Sequence, residues 1–237
     1  MKDGPKERPR ALLLMGSELG GLIVAALEHG HYETRIASGA TAATAIAEWH
    51  PHLVIVDLDA DGKVHQFIGR GISHGQPPIL ALTRKRDTAI KLAAYEAGVD
   101  DIIEVPFTLD EVVARAYALM RRAHRMEVPI VPRVKLDSLD VDLLEQRVRV
   151  DGRSLTLTAL QQTLLYLLAA NAGKVLSREV ILETIWGPDF EAESNVVDRH
   201  IRELRVKLED DWRTPRYIET IPGEGYRFRT HAEGSPN

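Results

Sequence analysis

Short apolar runs alternate with amphipathic stretches through the first half of the chain. Runs at 11–15, 33–38, 53–57, 79–83 and 101–105 read as strands. Stretches at 17–29, 40–49, about 62–73, 87–97 and 108–125 read as helices with one apolar face. Strands alternating with helices predict βαβ units around a parallel sheet. Leu53-Val54-Ile55-Val56 is apolar without a break, as a central strand covered on both faces should be. The third helix carries the weakest pattern. Gly62, Gly69, Gly71 and Gly75 crowd it, and glycine inside a helix costs ~1 kcal/mol against alanine, so a short or irregular element is expected there.

The fifth helix runs into Arg121-Arg122-Ala123-His124-Arg125, and Pro129 and Pro132 then stop it. The predicted organisation is a disordered lead at 1–9, a first domain at 10–124, a linker at 125–133, a second domain at 134–231 and a disordered tail at 232–237. The second domain opens with short alternating strands at 139–142, 147–150 and 154–157, with Asp151-Gly152 as a hairpin turn between the last two. Thr158 and Gln161 fit a capping box at the start of a helix whose apolar face is Leu160, Leu164, Leu167 and Leu168. Ser177 caps a second helix that Gly187-Pro188 stops. A third spans about 194–208, and segments 217–221 and 226–229 read as a closing hairpin. Three helices followed by a hairpin outline a winged helix.

The third of these helices carries candidate chemistry. At 100° per residue, Val197, Ile201, Leu204 and Leu208 form one core stripe, and Asn195, Arg199, Arg202 and Val206 the opposite stripe. Arg205 lies on one flank, His200 and Lys207 on the other. An α-helix fits the major groove, where arginine can donate two bonds to guanine, while flanking cations meet phosphates. A solvated charged face is the competing reading of the helix alone. Glu203 borders the outward stripe and Glu224 sits at the hairpin tip, and both oppose phosphate.

The first domain offers a different site. In an open parallel sheet, ligands gather outside the carboxyl ends of the strands. There the sequence places Asp57 and Thr83, and little else that is polar: the first strand ends in Met15-Gly16 and the fifth in Val105. The rim is read as lacking cations and further carboxylates, with Glu18, Asp59 and Asp61 nearby in sequence as the residues that could substitute.

Composition narrows the classes. The 237 residues contain no cysteine, which excludes disulfides and thiolate metal sites. His29 with His31 and His50 with His52 lack further partners of ligand type, so no metal site is expected. No apolar run approaches the ~20 residues of a membrane helix, so no membrane partner and a cytoplasmic location are expected. The net charge of −5 is spread over both halves, so any contact with nucleic acid must rest on local positive charge. Trp49, Trp186 and Trp212 read as packing anchors, with Trp186 in the core.

The motifs together resemble one family. The segment from Asn195 to Leu208 is similar to the recognition helix of OmpR/PhoB-type response regulators, and the segment from Ile218 to Phe228 resembles that family's wing. The segment Gly173–Glu179 resembles its link between the first two helices. Pro51 to Asp57, Leu82-Thr83 and Gly98 to Asp101 resemble its receiver. The resemblance covers about 11–229. It implies an α/β, flavodoxin-like, doubly wound receiver with strand order 2-1-3-4-5. A C-terminal winged helix-turn-helix domain, preceded by a four-stranded antiparallel sheet, follows it. It also implies a non-enzymatic, sequence-specific transcription regulator whose partners are double-stranded promoter DNA, RNA polymerase and a second copy of itself. Asp57 matches the phosphoacceptor and Thr83 the switch hydroxyl. Asn195, Arg199, His200, Arg202, Arg205, Lys207, Thr220 and Arg227 are the expected DNA contacts. Lys91, Asp100, Asp101, Glu111, Arg115 and Arg122 match the family's dimer face, with Tyr117 beside them.

The departures from the family pattern shape the functional reading. Met15-Gly16 replaces the acidic pair that holds Mg²⁺, Val105 replaces the lysine, and Ile102 the aromatic switch residue. Glu203 replaces a recognition-helix arginine, and Pro222 stands where the wing often carries one. Phosphoryl transfer is mostly charge neutralisation and positioning, so the expectation is an atypical receiver with no cofactor, acting without phosphorylation. Asp57 and Thr83 are expected to hold one constitutive arrangement, with a homodimer replacing the phosphate signal. The first alternative is a conventional two-component regulator, phosphorylated on Asp57 by a histidine kinase. Others are a phosphatase of the haloacid-dehalogenase type, whose nucleophile would end the first strand rather than the third, and a winged helix that binds protein.

Overall fold

The computed structural model describes residues 8–28, 32–38, 40–60, 76–124, 133–136, 139–142, 147–187, 190 and 195–230. Residues 1–7 of the expected lead at 1–9, the helix at 62–73, residues 125–132 of the expected linker at 125–133 and the expected tail at 232–237 lie outside the described residues, as does Asp61. The chain divides into two compact units, Met1–Glu104 with Glu111–Val131, and Val105–Asp110 with Pro132–Asn237.

In the first unit, β1 (Arg10–Leu14), β2 (Glu33–Ala37), β3 (Leu53–Asp57), β4 (Ile79–Thr83) and β5 (Asp101–Glu104) form one sheet in the order β2-β1-β3-β4-β5. Every pairing is parallel. The described helices are α1 (Ser17–Glu28), α2 (Ala42–Trp49), α3 (Thr88–Glu96) and α4 (Leu109–His124). All five residues of β3 and of β4 are buried, as the unbroken apolar runs required. Alternate strand residues Leu12, Leu14, Val54, Val56, Ile79 and Ala81 share a core with Ala42 and Trp49 of α2 and Ala94 of α3. Period-two alternation sends Leu13, Ile55 and Leu80, also buried, to the other face. The register pairs Asp57 with Leu82 and Thr83 with Glu104, which brings Asp57 and Thr83 to the carboxyl rim.

The second unit begins with an antiparallel sheet of β6 (Arg133–Leu136), β7 (Leu139–Asp142), β8 (Arg147–Val150) and β9 (Arg153–Leu155). Asp151 and Gly152 both have positive φ, 49° and 78°, as a tight turn between β8 and β9 demands. The helices are α5 (Ala159–Ala170), α6 (Arg178–Trp186) and α7 (Val196–Leu208). The capping box is present: Gln161 N donates to Thr158 Oγ1 at 3.3 Å, and Thr158 N donates to Gln161 Oε1 at 3.1 Å. Ser177 Oγ accepts from Val180 N at 3.1 Å and caps α6. The closing hairpin, β11 (Ile218–Ile221) and β12 (Gly225–Phe228), gains a third strand that the pattern did not reveal. β10 (Val175–Ser177) joins β12 antiparallel, before α6. A three-residue strand with one buried side chain has too little alternation to register as a strand. Trp186 departs from expectation as well. It is half-buried rather than core, stacked between Phe190 and His200. Trp212 is 62% exposed, with the Arg213 guanidinium 5.1 Å over its ring, rather than a buried anchor.

Gly225 is the tightest point of this three-stranded sheet. Its φ is +153°, and a Cβ there would lie 2.1 Å from the Leu176 carbonyl oxygen and 2.8 Å from Ser177 Cα, both backbone atoms. Gly225→Ala is therefore expected to destabilise the second unit by about 3 kcal/mol or more, since backbone cannot yield as a side chain can. Urea unfolding of the two proteins checks this.

Candidate functional site

Helix α7 presents the two stripes that its sequence prescribes. Val197, Ile201, Leu204 and Leu208 are buried, while Asn195, Arg199, Arg202, Lys207 and Val206 are exposed, Val206 by 71%. Asp198 stands in the first turn and Arg205 and Lys207 in the last, matching the helix dipole at both ends. The flanking residues are engaged within the unit. Arg205 donates to the Ile218 carbonyl at 2.7 Å and to Thr220 Oγ1 at 2.8 Å, so both Arg205 and Thr220 are committed to holding α7 on the hairpin. Burial lowers the pKa of the Arg205 guanidinium. Arg227 donates to Glu219 Oε2 at 2.7 Å across the hairpin.

His200 is packed as well. Its ring stacks on Trp186 at 5.7 Å, its side chain is only 15% exposed, and Nδ1 lies 3.2 Å from Glu203 Oε2. Gln161 reaches the same oxygen from α5 at 3.4 Å. These contacts, His200 first, hold the Glu203 carboxyl below its ordinary pKa. They also turn its charge toward the helix bundle, which eases the opposition that its place in sequence suggested.

One buried carboxylate gathers three backbone donors of the loop after α7. Buried Asp210 accepts from the backbone N–H groups of Arg216, Tyr217 and Ile218 at 2.6, 3.3 and 2.8 Å.

The rim of the first unit overturns the expectation that it lacks cations and further carboxylates. Arg84, directly after Thr83, folds back over the strand ends. Its Nη1 donates to Asp57 Oδ1 at 2.6 Å and lies 3.3 Å from Asp59 Oδ2. The three side chains are 3–8% exposed. Asp59 Oδ2 also accepts from Arg84 N at 2.6 Å, and Thr83 Oγ1 donates to Asp59 Oδ1 at 3.2 Å. Thr83 thus serves Asp59, while Asp57 is held by Arg84 and by Asp59 N at 3.1 Å. β4 ends at Thr83 as its pattern indicated, and Arg84 went unnoticed because Arg84-Lys85-Arg86 has the composition of an ordinary charged loop.

On α3, β5 and α4, the expected dimer residues pair within the chain. Lys91 bridges to Glu104, and Arg115 Nη1 donates to both oxygens of Asp101 at 2.9 Å while Nη2 reaches Glu111 at 2.9 Å. The bond to Asp101 is the main reason the Arg115 pKa is raised. Asp100 Oδ2 accepts from Ile79 N at 2.7 Å. Arg122 is exposed, Arg121 lies over the Tyr117 ring, and Leu92 and Tyr95 of α3 are 57% and 46% exposed.

A family model described as "Transcriptional regulatory protein, C terminal" matches residues 152–228. The transcriptional regulatory protein KdpE of Mycobacterium tuberculosis is 35% identical over 203 residues, which is 84% of this chain and 88% of KdpE. The chain belongs to the OmpR/PhoB family of response regulators. The response regulator ArlR of Staphylococcus haemolyticus is 39% identical over 178 residues, 75% of this chain and 78% of ArlR. Among solved structures, the OmpR/PhoB homologue DrrB of Thermotoga maritima is 27% identical, covering 94% of this chain and 99% of DrrB with a TM-score of 0.39. The chain is accordingly a DNA-binding transcriptional response regulator, with a receiver in its first unit and a winged helix in its second.

Receivers of this family commonly take Mg²⁺, an ion that wants oxygen ligands in octahedral array. The residues here do not fit it. Met15 and Gly16 bring no carboxylate to the end of β1, and the Arg84 guanidinium already donates to both Asp57 and Asp59. Among the described residues, no three His, Cys, Asp or Glu side chains gather as a metal site.

One cluster ties the winged helix together. Asp198 Oδ1 of α7 accepts from Arg178 Nε of α6 at 2.7 Å and from the Tyr226 hydroxyl of β12 at 2.6 Å, and the Arg178 guanidinium lies 4.9 Å above the Tyr226 ring. Burial, then the bond to Asp198, pushes the Tyr226 hydroxyl up to about 12. Burial raises the Asp198 carboxyl, but the bonds from Tyr226 and Arg178 outweigh it and leave it below the usual carboxylate range. A carboxyl depressed in the folded state contributes stability at neutral pH that is lost as pH falls through its folded value. Asp198→Asn should therefore lower stability at pH 7 by about 1 kcal/mol, the pair being partly exposed. The difference should shrink as pH drops below the carboxylate range. Thermal unfolding over a pH series measures it, and a pH-independent difference would contradict the assignment.

Proposed function

We propose that this regulator reads promoter DNA through the outward stripe of α7 and acts as a receiver-mediated homodimer without a phosphoryl group on Asp57. Support for the DNA-reading part comes chiefly from the exposed pair Arg199 and Arg202, carried on a helix whose opposite stripe is buried. With Asn195 and Val206 they give one face both donors and an apolar surface, the two kinds of group that base edges accept in the major groove. Lys207 and the outer atoms of Arg205, Arg227, His200 and Thr220 are assigned to phosphates and positioning. RNA polymerase and a second copy are the proposed protein partners, and the cytoplasm the proposed location. Among the described residues, no helix is long and apolar enough to cross a membrane. The proposed boundaries are 10–124 for the receiver, 125–133 for the linker and 134–231 for the winged helix.

Phosphate independence rests on the chemistry of the rim. Met15, Gly16 and Val105 supply neither metal ligands nor a cation for a doubly charged phosphoryl group. The homodimer is assigned to the face bearing Lys91, Asp100, Asp101, Glu111, Arg115 and Arg122, where exposed Leu92 and Tyr95 add apolar area beside the charges. The competing reading is a conventional regulator phosphorylated by a histidine kinase. It is favoured by the burial of Asp57 and Thr83 at adjacent strand ends.

Neutralising the two arginines together, Arg199→Ala with Arg202→Ala, should weaken binding to a promoter fragment by ten-fold or more, since each base contact is worth ~1–3 kcal/mol. Titrations at several salt concentrations measure this, and unchanged affinity would remove α7 as the reading head. Treatment with a small phosphodonor and Mg²⁺ should leave both the covalent mass and the solution mass of an already dimeric protein unchanged. A stoichiometric gain of one phosphoryl group on Asp57 would establish the conventional reading.

A further inference from the structure

We infer that Arg84 is a tethered counter-ion, a side chain that occupies the place of a dissociable cation between Asp57 and Asp59 and pins the β4–α3 connection to the end of β3. The inference rests on the reading of this rim as one that works without phosphate, and extends it by naming what fills the rim. Four contacts carry it. The guanidinium meets Asp57 at 2.6 Å and Asp59 at 3.3 Å, the Arg84 backbone N–H meets Asp59 at 2.6 Å, and the Thr83 hydroxyl meets Asp59 at 3.2 Å. Asp59 N in turn donates to Asp57 Oδ1 at 3.1 Å. The side chains of Asp57, Asp59 and Arg84 are 8%, 3% and 6% exposed, so solvent screens none of these charges well.

Two carboxylates that converge on one guanidinium nitrogen repel each other unless positive charge stands between them. The chain supplies that charge from the residue after Thr83, at no cost in metal affinity and with no dependence on metal supply. Because the cation is covalently part of the β4–α3 connection, neutralising Asp57 and fixing that connection are one event. A conventional receiver must bind an ion to achieve the first. Here both are completed on folding. Lys85 N donates to Thr83 Oγ1 at 3.1 Å, which carries the same restraint one residue further along the connection.

The inference makes a gain-of-binding prediction. Removing the guanidinium leaves two buried carboxylates without their cation, and a hard divalent ion from solution then becomes the available replacement. In the full-length protein, millimolar Mg²⁺ should leave the receiver's thermal transition unmoved. In Arg84→Ala the transition should fall, and Mg²⁺ should raise it by roughly 4 °C or more. Adding Asp57→Asn to Arg84→Ala should abolish that rise. Arg84→Lys, which keeps a cation, should stay insensitive to Mg²⁺. Should Arg84→Ala fail to fold, Arg84→Gln supplies the same comparison. A wild-type transition that rises with Mg²⁺, or an uncharged variant that ignores it, overturns the inference. No phosphodonor enters the test, so its outcome is separate from whether Asp57 is ever phosphorylated.

Discussion

A carboxylate at the end of a buried parallel strand has lost most of its water, and the sheet offers it only backbone N–H groups in return. In this receiver that constraint falls on Asp57 and Asp59 together, and Arg84 answers it. Much of the rim follows from that pairing. Thr83 turns to Asp59 because Asp57 is already held, and the Arg84 backbone caps Asp59 because the chain has bent back to deliver its side chain. A guanidinium suits the task better than an ammonium, since it is more weakly hydrated and gives up less on burial.

The arginines of the winged helix divide by the same criterion of what they face. Arg178 and Arg205 lie over the Tyr226 ring, and each donates to groups on other elements, so they tie α6 and α7 to the hairpin. Arg199 and Arg202 are exposed. Identical side chains, six residues apart or fewer, therefore do different work on one helix. On the proposed reading, truncating Arg205 would alter the angle of the reading head, whereas truncating Arg202 would alter what it can touch.

How much of this was legible in the sequence depended on whether a feature is local. The alternation of strands and helices in the receiver, the stripes of α7, the Asp151-Gly152 turn and the Thr158 capping box follow from periodicity and short-range chemistry, the strand order follows from the family resemblance, and each is present. Arg84 was missed because its partners lie 25 and 27 residues away and are reached only once β3 and β4 pair. His200 gave no sign that it would stack on Trp186, and Glu203 none that it would turn to Gln161, since both contacts join different helices. Strand β10 is too short for its pattern to stand out. Spacing along the chain revealed which residues share a face, but not which partner from elsewhere would claim them.

This division of charges bears on how the proposed regulator would discriminate among sites. The exposed face of α7 offers two guanidinium groups, one amide and one valine, with Lys207 beside them, on a protein whose net charge is −5. So sparse a positive surface gives little of the sequence-independent attraction to phosphate that draws basic domains to any duplex. A single winged helix of this kind would hold non-specific DNA weakly, and a larger share of its binding would come from base edges. The affinity missing from one copy has to come from a second copy held nearby, because linkage raises the effective concentration of the second head without any new contact to DNA. On the proposed reading, pairing through the receiver is therefore a requirement set by the poor electrostatics of the reading head, and a rim that carries its own cation leaves that pairing free of any phosphate signal.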